Sequence, residues 1–276
     1  MRTTDITAAA PRWARTTGAL ITVTALAACS TAGNGAKPPS PNSSGKTAVI
    51  SVQLTSAELA VNLKSTSTVT SAHITMTSKL GNQTVLTAHG DETAAGGTLT
   101  AMNLNEQIGS STMTILLTGG ALYVKLPGTL NKSGKPWEKA AAGSSSPVLR
   151  QLASTLSSIE QSASLDQYGS MAQAASSLKT IGTEQVNGAV ATHYSLMVDV
   201  SKIHGAAFTQ AAKAALAQAR ITKIPVDVWV DSHNRPVKMS EKFTLKGQIV
   251  STEATVSRYN QPVTITAPPA SQVSTT

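Results

Sequence analysis

From residue 70 to residue 126, apolar and polar side chains alternate, and pairs of turn-forming residues interrupt the alternation. A period of two sends successive side chains to opposite faces of a strand, and a two-residue Gly or Asn-Gly turn returns the chain antiparallel. Ala72, Ile74 and Met76 share one face of Thr70–Ser78, while Ser71, His73, Thr75 and Thr77 share the other. Gly81-Asn82 turns into a strand with Leu86 and Ala88 on one side, and Gly96-Gly97 into one with Met102, Leu104 and Ile108. Gly119-Gly120 joins STMTILLT to ALYVKL, where Leu122, Val124 and Leu126 alternate with Tyr123 and Lys125. The pattern resumes at Lys179–Val186 and crosses Asn187-Gly188 into a strand with Tyr194, Leu196, Val198 and Val200 on one face. Ile224, Val226, Val228 and Val230 then share a side, and after the polar turn Asp231 to Arg235 two more strands pair through Lys246-Gly247. This is the signature of an antiparallel meander.

Helical spacing intervenes in four places. Thr55-Ser56-Ala57-Glu58 is a capping box that opens a short helix with Ala57, Ala60 and Val61 on its apolar side. Val148, Leu152, Leu156 and Ile159 recur at helical spacing after Pro147. Leu165–Leu178 reads as a weaker helix interrupted by Gly169, and Phe208, Ala212, Ala215, Leu216 and Ala219 form a stripe on an Ala-rich helix. Strands come in runs and no Gly-rich phosphate loop joins strand to helix. The expected fold is therefore α+β: a large antiparallel β-sheet with a few helices covering its concave face.

The N-terminus carries a different message. Arg2, Arg12 and Arg15 precede the apolar run Gly18 to Ala28, which is too short to span a bilayer as a helix. Leu26-Ala27-Ala28-Cys29 matches a bacterial lipobox, in which the thiol takes a diacylglyceryl group and a peptidase cuts just before it. Two or more acyl chains give stable anchoring. Residues 1–28 are expected to be a lipoprotein signal peptide, and residues 29–52 an acylated Cys with a Ser/Pro/Gly-rich linker. Residues 53–267 are the folded domain and 268–276 a polar tail. The expected location is the extracytoplasmic face of the cell membrane. Cys29 is the only cysteine, so no internal disulfide forms and the core alone must hold the domain.

The formal net charge is +8, and the leader accounts for part of it through its three arginines. That excess suits anionic phospholipid or acidic wall polymers. It does not indicate nucleic acid: aromatic residues are 3% of the chain, so stacking platforms are scarce. The catalytic motifs G-x-S-x-G, H-E-x-x-H and the P-loop are missing. Ser43-x-x-Lys46 and Ser176-x-x-Lys179 have the spacing of a Ser/Lys dyad but no companion motif. His73 and His89 are cross-strand neighbours if the hairpin register allows, and the five histidines show no metal spacing. Neither enzyme activity nor a cofactor or metal is expected.

One polar residue stands out. Strict alternation in Pro236–Leu245 puts Glu241 on the face of Val237, Met239, Phe243 and Leu245. A carboxylate there needs a partner, a hydrated cavity or a bulge that turns it outward, and a bulge or paired edge position is the expectation over a ligand contact.

Two stretches, Met113–Pro127 (MTILLTGGALYVKLP) and Ile224–Ser240 (IPVDVWVDSHNRPVKMS), resemble the LppX/LprG family of actinobacterial cell-envelope lipoproteins. The lipobox, linker and helix order agree with it. The resemblance implies a LolA/LolB-like half-barrel whose concave face and helices enclose an apolar cavity for acyl chains, and carriage of lipids or glycolipids across the envelope. The residues expected to line that cavity come from the alternation. The first half supplies Ile74, Met76, Leu122 and Val124, with Leu152 and Leu156 from a helix. The second supplies Leu196, Val198, Phe208, Leu216, Val226, Val228, Met239, Glu241 and Phe243. Headgroups are expected at a polar mouth where Lys residues meet phosphate. A monomer is expected. The alternative is an envelope protein-binding sensor on the same scaffold with a collapsed cavity and a protein partner; a scattered-site hydrolase ranks below both.

Overall fold

A computed structural model describes residues 54–274 apart from 65–67, 129–130, 132, 145, 155–165, 204–209 and 246. The leader, Cys29, the linker, Leu156, Ile159, His204 and Phe208 lie outside the described residues.

The alternating segments form a single 12-stranded sheet. A first meander comprises β1 (Ser71–Leu80), β2 (Gln83–Ala95), β3 (Thr98–Ile108), β4 (Ser111–Thr118), β5 (Ala121–Lys125) and β6 (Trp137–Lys139). A second comprises β7 (Ala175–Val186), β8 (Ala189–Asp199), β9 (Lys223–Asp231), β10 (Pro236–Leu245) and β11 (Gln248–Ser257). The seam between them is the antiparallel pair β1–β11, in register from His73↔Ser257 to Leu80↔Val250. The sheet is open, with β7 at one end and β12 (Val273–Ser274) at the other. β12 runs parallel to β6; the other neighbours are antiparallel. The segment read as a polar tail thus ends in a buried strand.

The turns follow their sequence signals. Asn187 and Gly188 both have positive φ, 50° and 82°, as a two-residue hairpin turn requires. In the β9–β10 turn, Asp231 Oδ1 accepts from the backbone N–H groups of His233 and Arg235, and Arg235 returns a 2.7 Å ion pair to its carboxylate.

Among the described residues four α-helices cover one face: α1 (Ser56–Lys64), α2 (Pro147–Ser154), α3 (Asp166–Gln173) and α4 (Gln210–Gln218). The capping box closes as expected, with Thr55 N–H donating to Glu58 Oε2 at 2.7 Å and Glu58 N–H to Thr55 Oγ1 at 3.2 Å. The apolar side of α1 is not the expected one. Leu59, Ala60 and Leu63 are buried, whereas Ala57 is exposed and Val61 is 68% exposed, because the two leucines have more area to bury than Ala57 and Val61. α3 is also shorter than its pattern: the chain becomes strand at Ala175 and pairs with β8, so Leu178 belongs to the sheet.

Two apolar clusters fill the space between helices and sheet. In the first, Leu59 and Leu63 of α1, Tyr168 and Met171 of α3 and Leu216 of α4 pack with strands from β1 round to β8. In the second, Leu149 and Leu152 of α2 pack on β2 to β5. Helices that touch both β1 and β8 require the sheet to curve around them, and the result is a half-barrel.

Candidate functional site

The strand registers assemble the concave face in rows. One row runs Leu122, Leu117, Met102, Glu92, Ala72 across β5 to β1. The next runs Glu138, Val124, Ile115, Leu104, Gly90, Ile74, Val256. A third runs Met113, Glu106, Ala88, Met76, Ala254, Met239, Val228, Tyr194. A fourth runs Ser78, Thr252, Glu241, Val226, Leu196, Leu178. Phe243 opposite Val250, and Val198 opposite Ile224, extend the face toward the rim that carries the β1–β2, β3–β4 and β10–β11 turns.

The strand residues expected to line the cavity lie on this face, while Leu156 and Phe208 fall outside the described residues. Leu122, Val124, Leu196, Val198, Val226, Val228 and Met239 are buried, and Ile74, Met76 and Phe243 are half-buried against the clusters. Leu152 reaches the face from α2 and Leu216 from α4. They divide between the two clusters rather than forming one. Val237 is the exception among its strand mates. The register shifts between Pro236 and Lys238, and Val237 packs instead with Val186, Ala191 and Trp229.

Glu241 was expected at a bulge or a paired edge position, and it is at neither: β10 lies inside the sheet, between β9 and β11. The bulge lies earlier, at Pro236/Lys238, and β10 stays in register with β11 from Lys238 to Leu245. Glu241 is 1% exposed and its Oε2 has no hydrogen-bond partner. Nor is it alone. Glu92 and Glu106 are buried on the same face, with Glu92 Oε2 and both Glu106 carboxylate oxygens unpartnered. Burial pushes Glu92 up to about 8, and Glu106 and Glu241 up to about 7, because desolvation disfavours the charged form. Tyr168 of α3 is raised too, by burial first and then by the charges of Glu92 and Glu241. Glu138 of β6 is a further buried carboxylate on this side. The signal for Glu92 and Glu106 was present in the sequence: they continue the sets 86–88–90 and 102–104, by the reasoning that isolated Glu241.

The lysines behave oppositely. Lys79, Lys125, Lys139, Lys223, Lys238 and Lys242 each sit one residue out of phase with the inward rows and point to the convex side. On the covering helices, Arg150 donates to the Ser144 carbonyl and Lys213 to the Ile203 carbonyl at 2.8 Å. These strand lysines therefore do not line the concave face.

The remaining polar groups explain themselves locally. Ser176 is the extra residue of a bulge between Ala175 and Ser177, and its hydroxyl is engaged locally, donating to the Met197 carbonyl at 3.0 Å. His73 pairs with Asp91 at 2.7 Å, while His89 sits opposite Thr75, so the two histidines are not direct neighbours. His193, on the convex side, lies between Glu184 at 2.9 Å and Asp227 at 3.1 Å and stacks on Trp229 at 4.1 Å. Among the described residues no group of His, Cys, Asp and Glu is arranged to hold a metal ion, and no helix is long and apolar enough to cross a membrane.

The structure is similar to that of LprF from Mycobacterium bovis. The two match with a TM-score of 0.51 at 15% identity, over 77% of this chain and 96% of that one. The chain shares the fold of LprF. LppX from Mycobacterium tuberculosis matches with a TM-score of 0.48 at 18% identity, over 75% of this chain and 98% of that one. An uncharacterised 31.2 kDa protein from the rplA–rplJ intergenic region of Streptomyces griseus is 35% identical over 104 residues. That match spans 36% of this chain and about a third (34%) of the relative's length. No family model matches the chain.

Proposed function

We propose that this chain is a membrane-anchored lipoprotein of the cell envelope that binds lipids or glycolipids against the concave face of its half-barrel and carries them. The observation that supports the reading is the face itself: an apolar layer between an open sheet and its covering helices, in which Glu92, Glu106 and Glu241 carry buried oxygens with no hydrogen-bond partner among the described residues. Acyl chains would gain about 25 cal/mol for each Å² of apolar area removed from water. Polar groups of the bound molecule would satisfy oxygens that otherwise cost on the order of 1–3 kcal/mol each. The likeness to LprF supports the scaffold, and the lipobox ending at Cys29 supports the anchor. Native mass spectrometry of the full chain purified in mild detergent tests the proposal. The expected result is a co-purifying or exchangeable lipid in one-to-one complex. Recovery of the lipid-free mass alone, with no uptake from added phospholipid or glycolipid, refutes it.

A further inference from the structure

Resting on that reading, we propose that the rim carrying the β1–β2, β3–β4 and β10–β11 turns is a docking surface for an anionic bilayer: Ile108 and Ile249 enter the bilayer interface, and Lys79 and Lys242 meet its phosphates.

The argument begins with shape. The three hairpins end on the pairs Leu245↔Gln248, Leu80↔Gln83 and Ile108↔Ser111. Phe243 shares a row with Leu80 through Val250, so β10 runs two residues beyond β1. Ile108 shares a row with Ser78 through Leu86, so β3 stops two residues short of β1. The tips thus step back by one residue per strand in one direction. That step is about 3.4 Å along for each 4.8 Å across, an incline of roughly 35°, which is the tilt of strands in a barrel. The three tips therefore lie level across the end of the half-barrel, spread over about 19 Å of arc. A level rim suits a planar partner.

The chemistry of the rim says which plane. Ile108 closes β3 and is 48% exposed, and Ile249, two residues past Gly247, is 44% exposed. One exposed isoleucine needs no explanation; two at the tips of one rim, with cations behind them, mark a surface. Lys79 and Lys242 are exposed and flank Ser251 in a single row, about 10 Å apart. No described acid forms an ion pair with either lysine. The acids of the next outward row are engaged, Glu253 by Lys238 at 2.8 Å and Asp227 by His193 at 3.1 Å. Lys202 and Lys223 add positive charge at the same end, against Asp199. Apolar tips with lysines set back from them match the depth profile of a bilayer surface. Its interface takes apolar side chains about 5–10 Å deep, and anionic lipid attracts lysine at the phosphates. The proposed anchor at Cys29 holds the domain within about 80 Å of such a surface, since residues 30–53 span at most about 3.6 Å each. Docked this way, the domain presents one end of its concave face to the lipid.

The test compares the two rims of one chain. Asn82→Cys and Ser110→Cys place a fluorophore in exposed tips of this rim, and Ser232→Cys places it in the β9–β10 turn at the opposite rim. The full chain without these changes, labelled alongside, gives the background from Cys29. Vesicles of phosphatidylcholine alone, or of equal parts phosphatidylcholine and phosphatidylglycerol, carry a brominated-chain lipid as quencher. On the mixed vesicles, labels at 82 and 110 are expected to be quenched about 3-fold more than the label at 232, and the excess to fall by about half or more without phosphatidylglycerol. Ile108→Ser with Ile249→Ser, and Lys79→Glu with Lys242→Glu, should each remove the excess. Lipid uptake in detergent, read by native mass spectrometry, should be unaltered in both variants, because none of the four residues is buried between sheet and helices. Equal quenching at the two rims, or failure of the chain to float with the mixed vesicles, overturns the docking surface, and uptake in detergent then leaves the carrier reading standing. Quenching confined to this rim, without uptake in detergent, upholds the docking surface and refutes the carrier reading. The comparison of label positions decides the matter even if a charge or isoleucine variant fails to fold.

Discussion

Each of the three bare glutamates is more proton-hungry folded than unfolded. Its folded pKa is raised, so between its ordinary value of 4.5 and the folded value the native state holds the extra proton. Stability is therefore greatest below about pH 4.5 for this contribution and falls as pH rises toward 7–8. The loss is on the order of a few kcal/mol per group at most. Ligand-free protein should melt at a higher temperature at pH 5.5 than at pH 8.5 in differential scanning fluorimetry. Replacing Glu106 and Glu241 with Gln should flatten that slope, since the amide cannot ionise. A profile that rises with pH, or one unaltered in the double variant, would contradict the assignment. Gly90 sets a second residue-scale constraint. A Cβ there would collide with the backbone carbonyl of Asn103 on the paired strand. Gly90→Ala should destabilise the domain by about 2 kcal/mol or more, as overpacking into rigid backbone does, and urea denaturation would measure it.

At the scale of elements, α1 and the hairpins were legible because their signals are local. Thr55 and Glu58 carry their own capping partners, and Asn187-Gly188 sets its own turn. Thr55→Ala should cost about 1 kcal/mol in thermal or chemical denaturation, as loss of an N-cap does. The inward faces of β1, β8 and β9 were equally readable from period two. The end of α3 was not. Ala175–Leu178 has no strong preference, and only pairing with β8 makes it strand. The direction of Glu241 was in the pattern, but its fate was not: whether a bulge would turn it out depends on β9 and β11, which are remote in sequence. The same alternation could have flagged Glu92 and Glu106, and an apolar-only search passed over them. Leu149 and Leu152 fasten α2 to the first meander, so Leu152→Ala should cost roughly 2–5 kcal/mol.

At the scale of the whole molecule, the proposed anchor and the folded domain are separable. If Cys29 serves only to anchor, Cys29→Ala should move the protein from the membrane to the soluble fraction while leaving the circular dichroism of the domain unaltered. Membrane retention of that variant would refute the lipobox reading. The open sheet also has an order of completion built into it. β1 lies in the middle of the sheet, yet one of its two neighbours, β11, is the next-to-last strand in the chain. Until residues 248–257 arrive, the hydrogen-bonding edge of β1 from His73 to Leu80 has nothing to bind, so a chain emerging in order carries a raw edge for most of its synthesis. Truncation just before Gln248 should therefore yield aggregates seeded at β1, and a free peptide copying Gln248–Ser257 should suppress them by filling the vacant lane.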